Sequence, residues 1–134
     1  MKLSKLLGAV LIATVCITAS FTLLQAGTAE RDNCMAVVTN AELAYLRFRD
    51  ATKANELNDA KKFVAKGMEY AQTAASFTPQ CDCPQAETYT LEAYVFGKKA
   101  ADATVLKDLK KQAKKAMNLA LSGMGAAQQC NMKK

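Results

Sequence analysis

The chain contains no histidine and no tryptophan. Without histidine it lacks the usual neutral-pH general base and the commonest zinc ligand. No run of alternating apolar and polar residues follows the first 24 positions, and β-branched residues are scattered, so no strand is expected. Arginine is sparse and not interleaved with aromatic residues, which argues against a nucleic-acid partner. The carboxylates Asp59, Asp108, Glu42 and Glu92 read as surface or cap residues. The sequence therefore reads as a non-enzyme with no cofactor.

The amino-terminal region has the composition of an export signal. Lys2 and Lys5 supply a short positive segment, and residues 6–24 form an uncharged apolar run. Gly27 and Ala29 place small residues at the −3 and −1 positions of a peptidase site, so residues 1–29 are expected to be a cleaved signal peptide. At this length the apolar run also approaches what an uncleaved membrane anchor needs. The sequence "ATVC" before Cys16 lacks the residues of a lipidation site. A periplasmic or secreted location is expected, with residues 30–134 as a single helical domain.

That domain holds four of the five cysteines: Cys34, Cys81, Cys83 and Cys130. An even number behind an export signal points to disulfides. Laying the chain on itself at an offset of 49 superposes Cys34 on Cys83 and Cys81 on Cys130, with 15 identities over 48 ungapped positions. Tyr45/Tyr94, Leu57/Leu106, Asp59/Asp108, Lys66/Lys115 and Met68/Met117 are among them. A fixed period of this length marks a supersecondary unit used twice, here residues 34–81 and 83–130.

Each unit reads as a helical hairpin. Leu106, Leu109, Ala113, Ala116, Met117, Ala120 and Met124 recur at three- and four-residue steps. Leu57, Ala60, Val64, Gly67, Met68, Ala71 and Ala75 do the same in the first copy. The partner helices carry Val37, Val38, Ala41, Ala44, Tyr45 and Phe48, then Ala86, Thr90, Ala93, Tyr94 and Gly97. Asp32 or Asn33 is suited to cap the first helix, and Pro84 to open the third. Turns are expected within 53–59 and 102–104. The fold class is all-α, with the two hairpins forming a four-helix bundle or stacked repeats.

Two helices of roughly 20 residues each bring the outer ends of a hairpin back together. The natural pairing is thus Cys34–Cys81 and Cys83–Cys130, each clasping one hairpin. Cys34–Cys83 with Cys81–Cys130 is the next alternative, and a Cys81–Cys83 ring the last. A soft-metal carrier is a second functional reading, with cysteine thiolates and Met35, Met68, Met117, Met124 and Met132 as copper(I) ligands. Met68 and Met117 lie on apolar stripes, where core filling is the commoner role, and no metal site is assigned.

Charge is polarised. The stretches around the expected turns (47–62 and 98–111) hold ten basic residues against five acidic, whereas the rest of the domain holds six against seven. Lys107, Lys110, Lys111, Lys114 and Lys115 gather on the fourth helix, with Lys61 and Lys62 at the matching end of the second. Lysines in the first half of a helix oppose its macrodipole, so local stability does not account for them. The expected function is binding of an acidic protein through this basic pole, as an immunity protein, inhibitor or small chaperone would; an anionic membrane surface is the alternative partner. Tyr45 and Tyr94 are expected either to seal the space between the hairpins or to face a ligand there.

Overall fold

The structure is a computed structural model that describes backbone elements from Leu3 and side chains from Thr28 onward. The signal-peptide reading of residues 1–29 falls almost wholly outside the described side chains. The chain divides into two units, Met1–Glu30 and Arg31–Lys134, and the second of them carries the packed core. Among the described residues no helix is long and apolar enough to cross a membrane.

Four helices succeed one another: α1 (Leu3–Lys53), α2 (Leu57–Cys81), α3 (Pro84–Ala101) and α4 (Leu106–Met132). Short turns at residues 54–56 and 102–105 join the members of each hairpin. Both turns fall where the sequence places them. The first-helix cap does not: α1 runs through Asp32 and Asn33, which lie inside it. The stretch Ala29–Glu30–Arg31 offers good helix formers and no glycine or proline to stop the helix there.

The duplication is visible in the backbone. Glu56 and Val105, equivalent at the offset of 49, precede α2 and α4 with nearly the same extended geometry (φ −116°, ψ 139° and φ −124°, ψ 138°). The first bond of each helix is likewise equivalent, from Ala60 N to Glu56 O at 3.0 Å and from Leu109 N to Val105 O at 3.1 Å. Both disulfides form as the repeat implies, Cys34–Cys81 and Cys83–Cys130, each spanning 47 positions. Cys34, Cys81 and Cys83 are fully buried.

The joint between the repeats is compact. Asp82 adopts the left-handed conformation (φ 50°, ψ 51°), its N–H donates to Pro79 O at 3.3 Å, and Cys83 N–H donates to Thr78 O at 3.5 Å. This pair of bonds is the Schellman arrangement that closes a helix C-terminus. Pro84 then starts α3 at its first turn, where a missing N–H costs nothing. Pro79 sits inside α2 and cannot donate to Ala75 O; the Thr78 hydroxyl donates to that carbonyl instead, at 2.7 Å. Thr78 is almost fully buried, so the orphaned acceptor is satisfied away from water.

The apolar stripes form the core. A cluster near the turns takes Ala44, Phe48 and Ala51 from α1, Ala60, Val64 and Ala71 from α2, Ala93 and Ala100 from α3, and Leu109, Ala113, Ala116 and Ala120 from α4. A second cluster near the cysteines also draws on all four helices. The arrangement is a four-helix bundle. Phe48 is the largest fully buried side chain, and two glycines make room for it. A Cβ added at Gly67 would lie 2.7 Å from Phe48 Cε1; one at Gly97 would lie 2.9 Å from Phe48 Cζ and 2.6 Å from Met68 Cγ.

Phe48→Leu and Gly67→Ala should each destabilise, the second because overpacking of about 1–3 kcal/mol outweighs the gain in helix propensity of about 1 kcal/mol. Their combination should cost less than the sum, which urea unfolding of the double-mutant cycle measures directly. Replacing Cys83 and Cys130 by alanine should cost on the order of 4 kcal/mol in the chain-entropy account, read as a lower denaturation midpoint. Asp82→Val should lower stability by about 1–2 kcal/mol, since a β-branched residue resists the left-handed region, and thermal melting beside Asp82→Gly tests it.

Candidate interaction surface

The seven lysines singled out by sequence do not behave alike. Lys107, Lys111, Lys114 and Lys115 are exposed on α4, and Lys110 is half-buried at the edge of that face. On α2, Lys61 is half-buried and Lys62 is exposed. The two groups share the pole opposite the cysteines, but α2 packs more extensively on α3 than on α4. The α4 lysines share one side of their helix, and Lys61 and Lys62 stand on α2 at the same pole.

Ion pairing separates the two hairpins further. In the first, Lys62 Nζ meets Asp59 Oδ1 at 3.1 Å and Lys66 Nζ meets Glu69 Oε2 at 2.9 Å. The hydrogen bond and charge of Glu69 hold the Lys66 ammonium above the ordinary lysine range. In the second, none of Lys98, Lys99, Lys107, Lys110, Lys111, Lys114 and Lys115 has a carboxylate within 4.0 Å among the described residues. The sequence explains part of this, because the position equivalent to Glu69 is Asn118. Lys115, the counterpart of Lys66, has lost its acid.

Lys115 has acquired a ring instead. Its Nζ stands 5.2 Å from the centroid of Phe96, and Lys99 Nζ stands 4.6 Å from the same centroid. The ring's negative face attracts both ammonium groups and sets them near one another. Phe96 occupies the position where the first repeat has Arg47. The hairpin register brings the groups together: Phe96 lies thirteen residues after Cys83 and Lys115 fifteen before Cys130, on antiparallel helices tied by the disulfide. Sequence reading missed Phe96, Lys98 and Lys99 as parts of this face. The i, i+3 spacing of Phe96 and Lys99 on α3 was the available signal. Residues 98–115 hold seven lysines against Asp102 and Asp108, a net charge of +5.

Tyr45 and Tyr94 are half-buried and pack against the turn-side core cluster, together with Met68 and Met117. Glu42, Glu92, Asp59 and Asp108 are exposed. All four cysteine sulfurs of the domain are in disulfides, so a soft-metal site there has no thiolate to use. Two such bonds belong to a protein that matures in an oxidising environment. No protein family, curated protein or solved structure matches this chain closely enough to assign it to a known group.

Proposed function

We propose that this is an exported, non-enzymatic helical interaction module that engages an acidic protein through the lysine face of α3 and α4, in the manner of an immunity protein, inhibitor or chaperone. The observation that carries the reading is the contrast between the hairpins. In the first copy Lys62 and Lys66 pair with Asp59 and Glu69, whereas in the second none of the seven lysines of residues 98–115 has such a partner among the described residues. Unpaired ammonium groups crowded on one face repel each other and gain when an anionic surface approaches. Five of them, Lys107, Lys110, Lys111, Lys114 and Lys115, stand in the first half of α4, against the helix dipole, which adds to that gain. An isolated lysine on a helix needs no explanation; seven within residues 98–115, with only two acids, do.

The periplasm or the extracellular medium is the proposed location, reached through the amino-terminal export signal. An acidic protein is the proposed partner: Phe96, with Lys99 and Lys115 Nζ at 4.6 and 5.2 Å from its ring centroid, adds an aromatic group to the cationic face that a protein contact can use.

The test is affinity capture from periplasmic extract with the oxidised protein, followed by titration with each captured protein in low and high salt. Lys110→Glu combined with Lys111→Glu should weaken binding by about 10- to 100-fold at low ionic strength, with the difference shrinking as salt rises. Lys62→Glu should change it little. Unaltered binding in the α4 variant would refute the reading, as would binding only to vesicles of phosphatidylglycerol and to no protein.

A further inference from the structure

Gly125 is the one described helical glycine whose small size its packing does not explain. Gly67 and Gly97 give way to Phe48, and a Cβ at Gly123 would lie 2.9 Å from Thr90 Cγ2. A Cβ at Gly125 would meet nothing within 4 Å. Glycine inside a helix costs about 1 kcal/mol relative to alanine, so an uncrowded one within α4 is a local loss that no packing contact offsets. What Gly125 does border is a trough of about 240 Å³ between α3 and α4, lined by Gln85, Tyr89, Ser122, Gly125, Ala126 and Gln129.

The duplication supplies a control for this trough. The first repeat has Ala36, Asn40, Thr73, Ser76, Phe77 and Gln80 at the six equivalent positions. There Phe77, the counterpart of Ala126, packs as a half-buried ring against the cysteine-side core, and Asn40, the counterpart of Tyr89, turns back to donate to Ala36 O at 2.8 Å. The second repeat has alanine where the first has phenylalanine, glycine where it has serine and tyrosine where it has asparagine. Relative to the first copy, the second has smaller side chains on α4 and longer polar reach on α3 at the same place. Hairpin packing alone does not produce the trough, since its sister hairpin carries a large ring at the position of Ala126.

The lining chemistry is uniform. Two amides and two hydroxyls surround the space, every one of them both donor and acceptor, and no charged side chain borders it. Gln85 Nε2 donates to Tyr89 Oη at 3.4 Å, one turn apart on α3 beside the trough. A charged ligand would find no counterion here, and a purely apolar one would strand the amides. A hydroxylated ring, with O–H groups at its rim and C–H bonds on its face, matches both the amides and the tyrosine ring. The volume lies below the roughly 300–1,000 Å³ of sites that engulf a drug-sized ligand, and suits one ring of a chain that continues into solvent.

From this juxtaposition we infer that the α3–α4 trough at Tyr89 and Gly125 is a binding site for one ring of a neutral saccharide. The site stands on the half of the second hairpin nearer the cysteines, away from the lysine face, and does not depend on the proposed acidic partner. Its affinity is in the millimolar range, as an open, solvated trough allows.

The experiment is a ¹H–¹⁵N titration of the oxidised protein with maltotriose, cellotriose, mannotriose and the β-1,4-linked N-acetylglucosamine trimer, each to about 20 mM, with glycerol and triglycine as controls. At least one saccharide should give saturable shifts centred on Gln85, Tyr89, Ser122, Gly125 and Gln129. Gly125→Leu, which fills the trough, should weaken that binding at least about tenfold while melting no lower than the parent, because its Cβ has free space and leucine favours the helix. Gln129→Ala, at an exposed position, should weaken the same saccharide without altering the fold. The site is refuted if no saccharide gives saturable shifts there, if triglycine or glycerol gives the same shifts, or if binding survives Gly125→Leu.

Discussion

The turn-side core of the bundle is arranged around the ring of Phe48. The apolar stripes are mostly alanine, which allows helices to approach closely but buries little area per residue, and burial contributes only about 25 cal/mol per Å². One aromatic ring at the centre concentrates the burial that alanine cannot supply. It fits because Gly67 on α2 and Gly97 on α3 present bare backbone to it. Since Gly97 is the repeat equivalent of Phe48 itself, the duplication resolves a steric problem by asymmetry. Two phenylalanines at the equivalent sites would collide; one phenylalanine and one glycine interlock.

The disulfides answer the same shortage of buried area from the other end of the bundle. A small domain with an alanine-rich core has a modest margin, since native stability amounts to roughly 0.05–0.15 kcal/mol per residue. Each clasp limits the freedom of an unfolded loop of nearly fifty residues, and the two lie at one pole with three of their four half-cystines fully buried. Fixing the helix ends there fixes the register along each hairpin. In the second hairpin that register sets Phe96 opposite Lys115 and Tyr89 beside Gly125. The covalent pole thus determines geometry at surfaces it does not touch.

Much of this was legible in the residues. The fold class, the hairpin boundaries near residues 54–56 and 102–105, both disulfides and the buried stripes come from helical periodicity and from the offset of 49, because these are local or repeated signals. The helix through Asp32 and Asn33 was not, since good capping residues do not stop a helix whose neighbours favour continuing it. Pro79 inside α2 was not either; its tolerance depends on the Thr78 hydroxyl taking over the Ala75 carbonyl, a pairing between side chain and backbone that periodicity does not carry. On the candidate surface, the lysines were plain, but their sorting into paired and unpaired sets was not. Part of that sorting follows from Glu69 against Asn118 and Arg47 against Phe96, differences which matter only once the two helices of a hairpin are in register, whereas the Lys62–Asp59 pair, whose residues recur as Lys111 and Asp108, is a matter of exposed side-chain conformation.

In a duplicated protein, positions kept alike in both copies report what each hairpin needs in order to fold: the cysteines, Leu57 and Leu106, Tyr45 and Tyr94, the alanines that line the core. Positions that differ fall into two kinds. Some differ because the copies must fit against each other, as Phe48 and Gly97 do, and contact between the copies accounts for them. The rest have no such account. Asn118 in place of Glu69 breaks an ion pair without making another, and Gly125 with Ala126 in place of Ser76 and Phe77 opens a trough while forfeiting helix propensity and buried ring area. Both losses fall on the second hairpin, on opposite halves of the α3–α4 pair. Divergence that lowers local stability and leaves the fold intact is the pattern expected where a surface has been turned outward. On that ground both proposed binding surfaces belong to the second hairpin, and the first hairpin serves as their support.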